Sequence, residues 1–246
     1  MVAKDGLCRL WIMGAVLLAA GILAMVLPTS GADGQEIGCT GDVVVDAGHG
    51  GSDSGSVNGT YGLREKDQNL DVAYRLEALL KADGHAVCMT RTGDETLSNN
   101  GRYTYANTTG ARLLVSVHMN GSSNPETDYT TTLFGKWRKD KDLALTVFDS
   151  LSTLPAADGT GTIATRTPYS YASGVLLKSN TPATIAETVF ITSDKEGRLL
   201  SDGTGVRQQQ IAEALETGIQ NYLAANPPSD GDAGGHPNGG PPGRNK

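Results

Sequence analysis

The chain is 246 residues long, with 38% apolar and 19% charged residues and a formal net charge of −7. That length and composition suit one well-cored domain and fall short of two. The acidic balance offers none of the basic surface that nucleic-acid binding needs, so nucleic acid is set aside as a partner.

The first 32 residues stand apart. Lys4 and Arg9 precede an apolar run from Leu10 to Leu27, and Pro28, Thr29, Ser30, Gly31 and Ala32 follow it. This reads as a signal peptide cut near residue 32, or as a retained N-terminal membrane anchor, since the run is at the threshold length for a span. Either reading places the remainder outside the cytoplasm: periplasmic, wall-associated or secreted. Cys8 lies before the apolar run, so it is not a lipoprotein acylation site. Residues 33–41 form a polar linker, and 42–224 a folded domain. Residues 225–246 are rich in Pro, Gly, Asp and Asn, and are expected to stay disordered. Cys39 and Cys88 remain beyond the leader. An even pair in an oxidising compartment suggests one disulfide, whose geometry the sequence does not supply.

The domain begins with VVVDA at 43–47. Its continuous apolarity suits a strand buried on both faces of a parallel sheet. It runs into the glycine-rich loop GHGG. A helix is expected over 66–83, with Leu70, Ala73, Leu76, Leu79 and Leu80 on one face and Gly84 as its stop. A strand over 86–91 completes a crossover unit. A helix around 101–109, a strand at 113–118, a strand at 130–135 and a helix at 140–152 follow. Residues 156–162 are a glycine-rich loop. Strands are expected at 174–178 and 183–191, and a final helix at 205–225. The fold class is α/β: a single domain with a central, mostly parallel sheet flanked by helices on both faces.

Polar residues interrupt the apolar pattern at strand ends. His49 follows the first strand, His118 closes LLVSVH, and Glu187 lies inside ATIAETVFI. In such sheets ligands gather at the carboxyl ends of the strands. Glu65 lies in GLREKDQNL, where a loop enters a helix. Two imidazoles and one carboxylate form the ligand set of a catalytic zinc with an open position. A second, unliganded carboxylate is then needed as general base, and Glu187 is the candidate. Taken singly, each has a plainer reading. His49 would be a loop residue, His118 a strand-end hydrogen-bonder, Glu65 a helix-start acid and Glu187 a partner of a buried arginine. His85, in a turn, and His236, in the tail, keep the plainer reading.

The ordered strings VVVDAGHGGSDSG, GLREKDQNL, TRTGDETLSNNGRYTYAN, LLVSVHMN and TPATIAETVFITSDKE resemble the zinc-dependent N-acetylmuramoyl-L-alanine amidases, over about residues 43–223. The resemblance implies His49, Glu65 and His118 as ligands of Zn2+ and Glu187 as the catalytic glutamate. It implies Arg102, Asn107 and Asn120 as supporting residues, with Arg102 and Asn107 bracing loops. Asp46 is expected as a supporting residue beside His49, behind the ligands. The first motif departs from the family at position 47, where alanine replaces a usual proline. Between Asn120 and Glu187 the sequence shows one helix-like segment, 140–152, which fits the fold itself, so the site is expected not to be covered by its own chain. The substrate implied is peptidoglycan, cut between N-acetylmuramic acid and L-alanine by a monomer, with any protein activator unidentified. Two alternatives stand: a non-catalytic cell-wall binding or sensing module that keeps the fold, against which the presence of all four key residues argues, and a zinc peptidase or deacetylase on the same metal site.

Overall fold

The structure, a computed structural model, describes residues 39–228. The leader, most of the linker and residues 229–246 of the tail, His236 included, lie outside the described residues. In chain order the elements are β1 (Val43–Ala47), a hairpin of β2 (Val57–Asn58) and β3 (Leu63–Arg64), α1 (Glu65–Ala82), β4 (Val87–Met89), α2 (Asn99–Thr108), β5 (Leu113–Asn120), β6 (Thr131–Phe134), α3 (Trp137–Leu151), β7 (Tyr169–Ser170), α4 (Gly174–Lys178), β8 (Ala183–Phe190), α5 (Asp194–Leu200) and α6 (Val206–Ala225).

The six-stranded sheet has the order β4-β1-β5-β8-β6-β7. Pairing is parallel except between β6 and β8. Strand β1 is buried throughout, as its unbroken apolar run requires. Residues alternate between the two faces. Val43, Val45, Leu113, Val115 and Val117 pack beneath α1, α3 and α6 with Leu76, Leu143, Leu151, Ile211 and Leu215. Val44, Leu114, Leu133 and Ile185 pack beneath α2 and α4 with Ala106, Val175 and Leu176. The same alternation carries Asp46, Ser116, His118 and Glu187 onto the second face. There β5 and β8 lose full burial, at His118, Asn120 and Glu187.

Two expectations are corrected at one segment, which is helical and so adds a second helix between Asn120 and Glu187 to the one expected at 140–152. Residues 174–178 form the helix α4, not a strand. A five-residue apolar run has no decisive period, and burial of Val175 and Leu176 under the sheet edge settles it as a turn of helix. The edge strand is the shorter β7. Helix α5 and the β2–β3 hairpin were not anticipated; α5 lies in a polar stretch, DKEGRLL, with little apolar period. Cys39 and Cys88 are disulfide-bonded, with Cα atoms 5.8 Å apart, which fastens the chain entering the domain to edge strand β4.

Candidate metal centre and active site

Strand β1 runs directly into the turn that carries His49. His49 is left-handed, with φ of 59°, a conformation uncommon for a residue with a side chain. Gly48 lies so close to the His118 ring that a Cβ there would stand 2.3 Å from it. Two arginines hold this turn. Arg91 donates to the carbonyls of Ala47 (2.8 Å), Gly48 (3.0 Å), Lys66 (2.7 Å) and Gly93 (2.8 Å). Arg102, from α2, donates to Asp46 Oδ1 (2.6 Å) and to the carbonyls of Ala47 (2.7 Å) and His49 (2.6 Å).

Glu65 opens α1, and its Oε1 lies 3.1 Å from both His49 Nε2 and His118 Nδ1. Oε1 also accepts from Met119 N (3.1 Å) and Asn69 Nδ2 (3.3 Å), while Oε2 accepts from Ser56 N (2.8 Å). The carboxylate is thereby fixed from several sides. One ligand atom from each of His49, Glu65 and His118 lies within 4.8 Å of the others. Ligands about 2.0–2.2 Å from a tetrahedral zinc are about 3.3–3.6 Å apart, and the two Glu65–histidine separations of 3.1 Å stand close to that spacing.

The electrostatics agree with a cation. Burial disfavours charge on His49, but Glu65, and Asp53 behind it, lift its pKa from 6.5 to about 9. His118 is raised in the same way, against its burial, through Glu65 and Glu187. Burial would raise Glu65, yet the two rings hold it well below the usual carboxylate range. The three groups call for positive charge between them, as ring protons or as a bound metal. The donor set and spacing fit a zinc ion.

Asp53 was not anticipated. Its Oδ2 accepts from His49 Nδ1 at 2.9 Å, which leaves Nε2 directed at Glu65. Asp46, expected as a supporting residue near His49, reaches that segment through Arg102 and does not bond the ring. It also meets Ser116 Oγ (2.5 Å) and Thr90 Oγ1 (2.5 Å). An Asp four residues after His49 in GHGGSDSG was the available signal. Arg91 gave none, since it ends an apolar strand segment and works through backbone carbonyls.

Glu187 pairs in register with His118 on the neighbouring strand and shares its face. Its carboxyl has no hydrogen-bond partner among the described residues. Burial raises its pKa, with His118 opposing. A cleft of about 610 Å³ opens above His49, His118 and Glu187, walled by Ser98, Asn120 and Tyr169 among others. Asn107 stands apart from the cleft and clasps α2 to the segment after α4. It donates to Lys178 O (3.0 Å) and accepts from Asn180 N (2.7 Å). His85 ties the end of α1 to Gln220 on α6 (3.0 Å).

A family-wide sequence profile described as N-acetylmuramoyl-L-alanine amidase matches residues 43–221. The chain belongs to the N-acetylmuramoyl-L-alanine amidase family. Among relatives, the amidase AmiA of Salmonella typhimurium is 30% identical over 221 residues, covering 74% of this chain and 75% of that protein. Among solved structures, AmiC2 of Nostoc punctiforme superposes with a TM-score of 0.66 at 32% identity, over 74% of this chain and 96% of that one. An amidase of Clostridium difficile gives 0.66 at 30% identity, over 77% and 99%. The amidase match begins at β1 and ends within α6, so every side chain of the centre lies inside it. Helix α3, the long helix between Asn120 and Glu187, packs with α6 on the face opposite the cleft. Among the described residues no helix is long and apolar enough to cross a membrane.

Proposed function

We propose that this enzyme is a zinc-dependent amidase that hydrolyses the bond between N-acetylmuramic acid and the L-alanine of the peptidoglycan stem. The observation that carries the reading is the convergence of His49, Glu65 and His118 within 4.8 Å, with the carboxyl of Glu187, unpartnered among the described residues, on the neighbouring strand. His49 Nε2, Glu65 Oε1 and His118 Nδ1 would hold the metal. Zinc, when bound, supplies a Lewis acid that polarises a carbonyl and acidifies water. The Glu187 carboxylate takes a proton from the attacking water and passes it to the leaving nitrogen of L-alanine. Asp53 fixes the His49 tautomer, and Arg102 and Arg91 hold the turn that presents it.

The reading places the enzyme outside the cytoplasm, where peptidoglycan lies, with residues 1–32 serving as a cleaved signal peptide or as an anchor. Cys39–Cys88 bonding is consistent with an oxidising compartment. With α3 on the far face, the cleft is open to a polymer, and we propose that a monomer is active without an activator.

The test is Glu187→Ala. Turnover of purified peptidoglycan should fall by about 10²–10⁴-fold, while bound zinc, measured by metal analysis, is retained. Mass analysis of the wild-type digest should show free stem peptides and intact glycan strands. Cut cross-links or lost acetate would replace the amidase reading with a peptidase or a deacetylase. A wild-type protein that binds peptidoglycan without turnover would be a binding module.

A further inference from the structure

The cleft wall on the β6–β7 side carries a cation that the chemistry above does not use. Thr131 lies opposite Glu187, and Tyr169 lies opposite Leu133. Strand alternation therefore puts Glu187, Thr131, Leu133 and Tyr169 on one face. Arg166 stands at the rim of this wall, exposed, with its backbone N–H donating to Thr130 O at 3.0 Å. Its guanidinium carbon lies 4.8 Å over the Tyr169 ring and 5.9 Å from the Tyr129 ring. Its Nη1 donates to the Tyr129 hydroxyl at 3.1 Å, and Tyr129 in turn packs on Phe190 at 4.5 Å.

The arrangement restrains the guanidinium without neutralising it. Arg102 is consumed by Asp46 and two carbonyls, and Arg91 by four carbonyls. Arg166 pairs with no carboxylate among the described residues, and its side chain makes a single hydrogen bond. Of five N–H donors, the remainder have no partner among the described residues, and a guanidinium fork so left matches a carboxylate. Stacking on aromatic rings limits the rotamer freedom that such a contact would otherwise cost. Of the charged groups that line the cleft, Arg102 is paired with Asp46, which leaves Asp53 and Glu187 beside the two histidines and no unpaired arginine or lysine among the lining residues.

We propose that Arg166 is a specificity-determining residue that binds a carboxylate of the stem peptide on the leaving-group side of the scissile amide. This rests on the amidase reading. The group that leaves begins with L-alanine, and the glutamyl residue after it carries an α-carboxylate that is either free or amidated. Arg166 selects the free acid over the amide, because the amide offers one acceptor and no charge to a fork that fits two.

The test uses two disaccharide-peptides that differ only there, one with D-glutamate and one with D-isoglutamine. Binding to zinc-loaded Glu187→Ala protein is measured by calorimetry. The acid form should bind about tenfold tighter, as expected of a charge-assisted pair. Adding Arg166→Ala should abolish the difference, and Arg166→Lys should keep part of it. Arg166→Gln, which retains length and a donor for Tyr129, stands in if the alanine variant misfolds. Equal affinities for the two forms, or a preference that survives these variants, overturn the proposal. So does a loss of thermal stability with the preference unchanged, which would make Arg166 only a clasp on Tyr129. Wild-type turnover is scored separately. Release of no free stem peptide from either compound sinks the amidase reading, while the binding preference still decides Arg166.

Discussion

At His49 the backbone is left-handed and both ring nitrogens are committed, one to Asp53 and one towards Glu65. A ring held at both ends presents one tautomer and one lone pair to a metal. Carboxylates behind ligating histidines typically contribute 10–100-fold in metal affinity. Asp53→Ala should therefore weaken zinc binding by about that factor, read by competition with a chromophoric chelator. The Asp46→Asn substitution should affect folding more, since Asp46 is fully buried against Arg102. Equal zinc affinity in wild type and Asp53→Ala would remove Asp53 from the centre. At this scale the sequence was informative about ligands and weak about their supports. His49, Glu65, His118 and Glu187 stand in ordered motifs. The supports act through contacts that no spacing encodes, as Arg91 does through four carbonyls.

Among elements, α6 against α3 shows how closely the helical layer is built. A Cβ added at Gly218 would lie 2.8 Å from the Val147 Cα and 3.3 Å from the Thr146 carbonyl oxygen. Two effects then compete in Gly218→Ala. Helix propensity favours alanine by about 1 kcal/mol. Overpacking against backbone, which cannot swing aside, costs about 1–3 kcal/mol. The second effect wins, and the variant should melt a few degrees lower with site chemistry unchanged. Higher thermal stability would show that the two helices separate readily. The strands and helices with long apolar signals were legible: β1, α1, β5 and α6 fall within one or two residues of expectation. The short ones were not. GVLLK is equally apolar as strand or helix, and only the cover it provides over β6 and β8 makes it α4. Strand β7, at two residues, is too brief to leave any pattern.

For the whole molecule, the fold class follows from the order of apolar runs, because parallel pairing requires crossovers and crossovers require helices. The convergence of the centre follows as well, since β1 and β5 are neighbours and their carboxyl ends coincide. What the runs do not encode is which face carries the cleft. That depends on the parity of single residues, Asp46 and His118 against Val45 and Val117. Because the ligands come from separate elements, zinc should bind the native state alone. At about 100 times its Kd it should add about 2.7 kcal/mol of stability. Chelation should then lower the melting temperature by several degrees, and readdition should restore it. An unchanged melting temperature would mean that no ion occupies the centre.

Glu65 and His118 stand 53 positions apart in the chain, and the proposed centre needs both. A nascent or unfolded chain therefore holds no hydrolytic centre at all. For an enzyme whose proposed substrate is the cell's own load-bearing wall, that delay is a safeguard. The ability to cut arises only where the sheet has closed and metal is at hand, so the place of folding becomes the place of action.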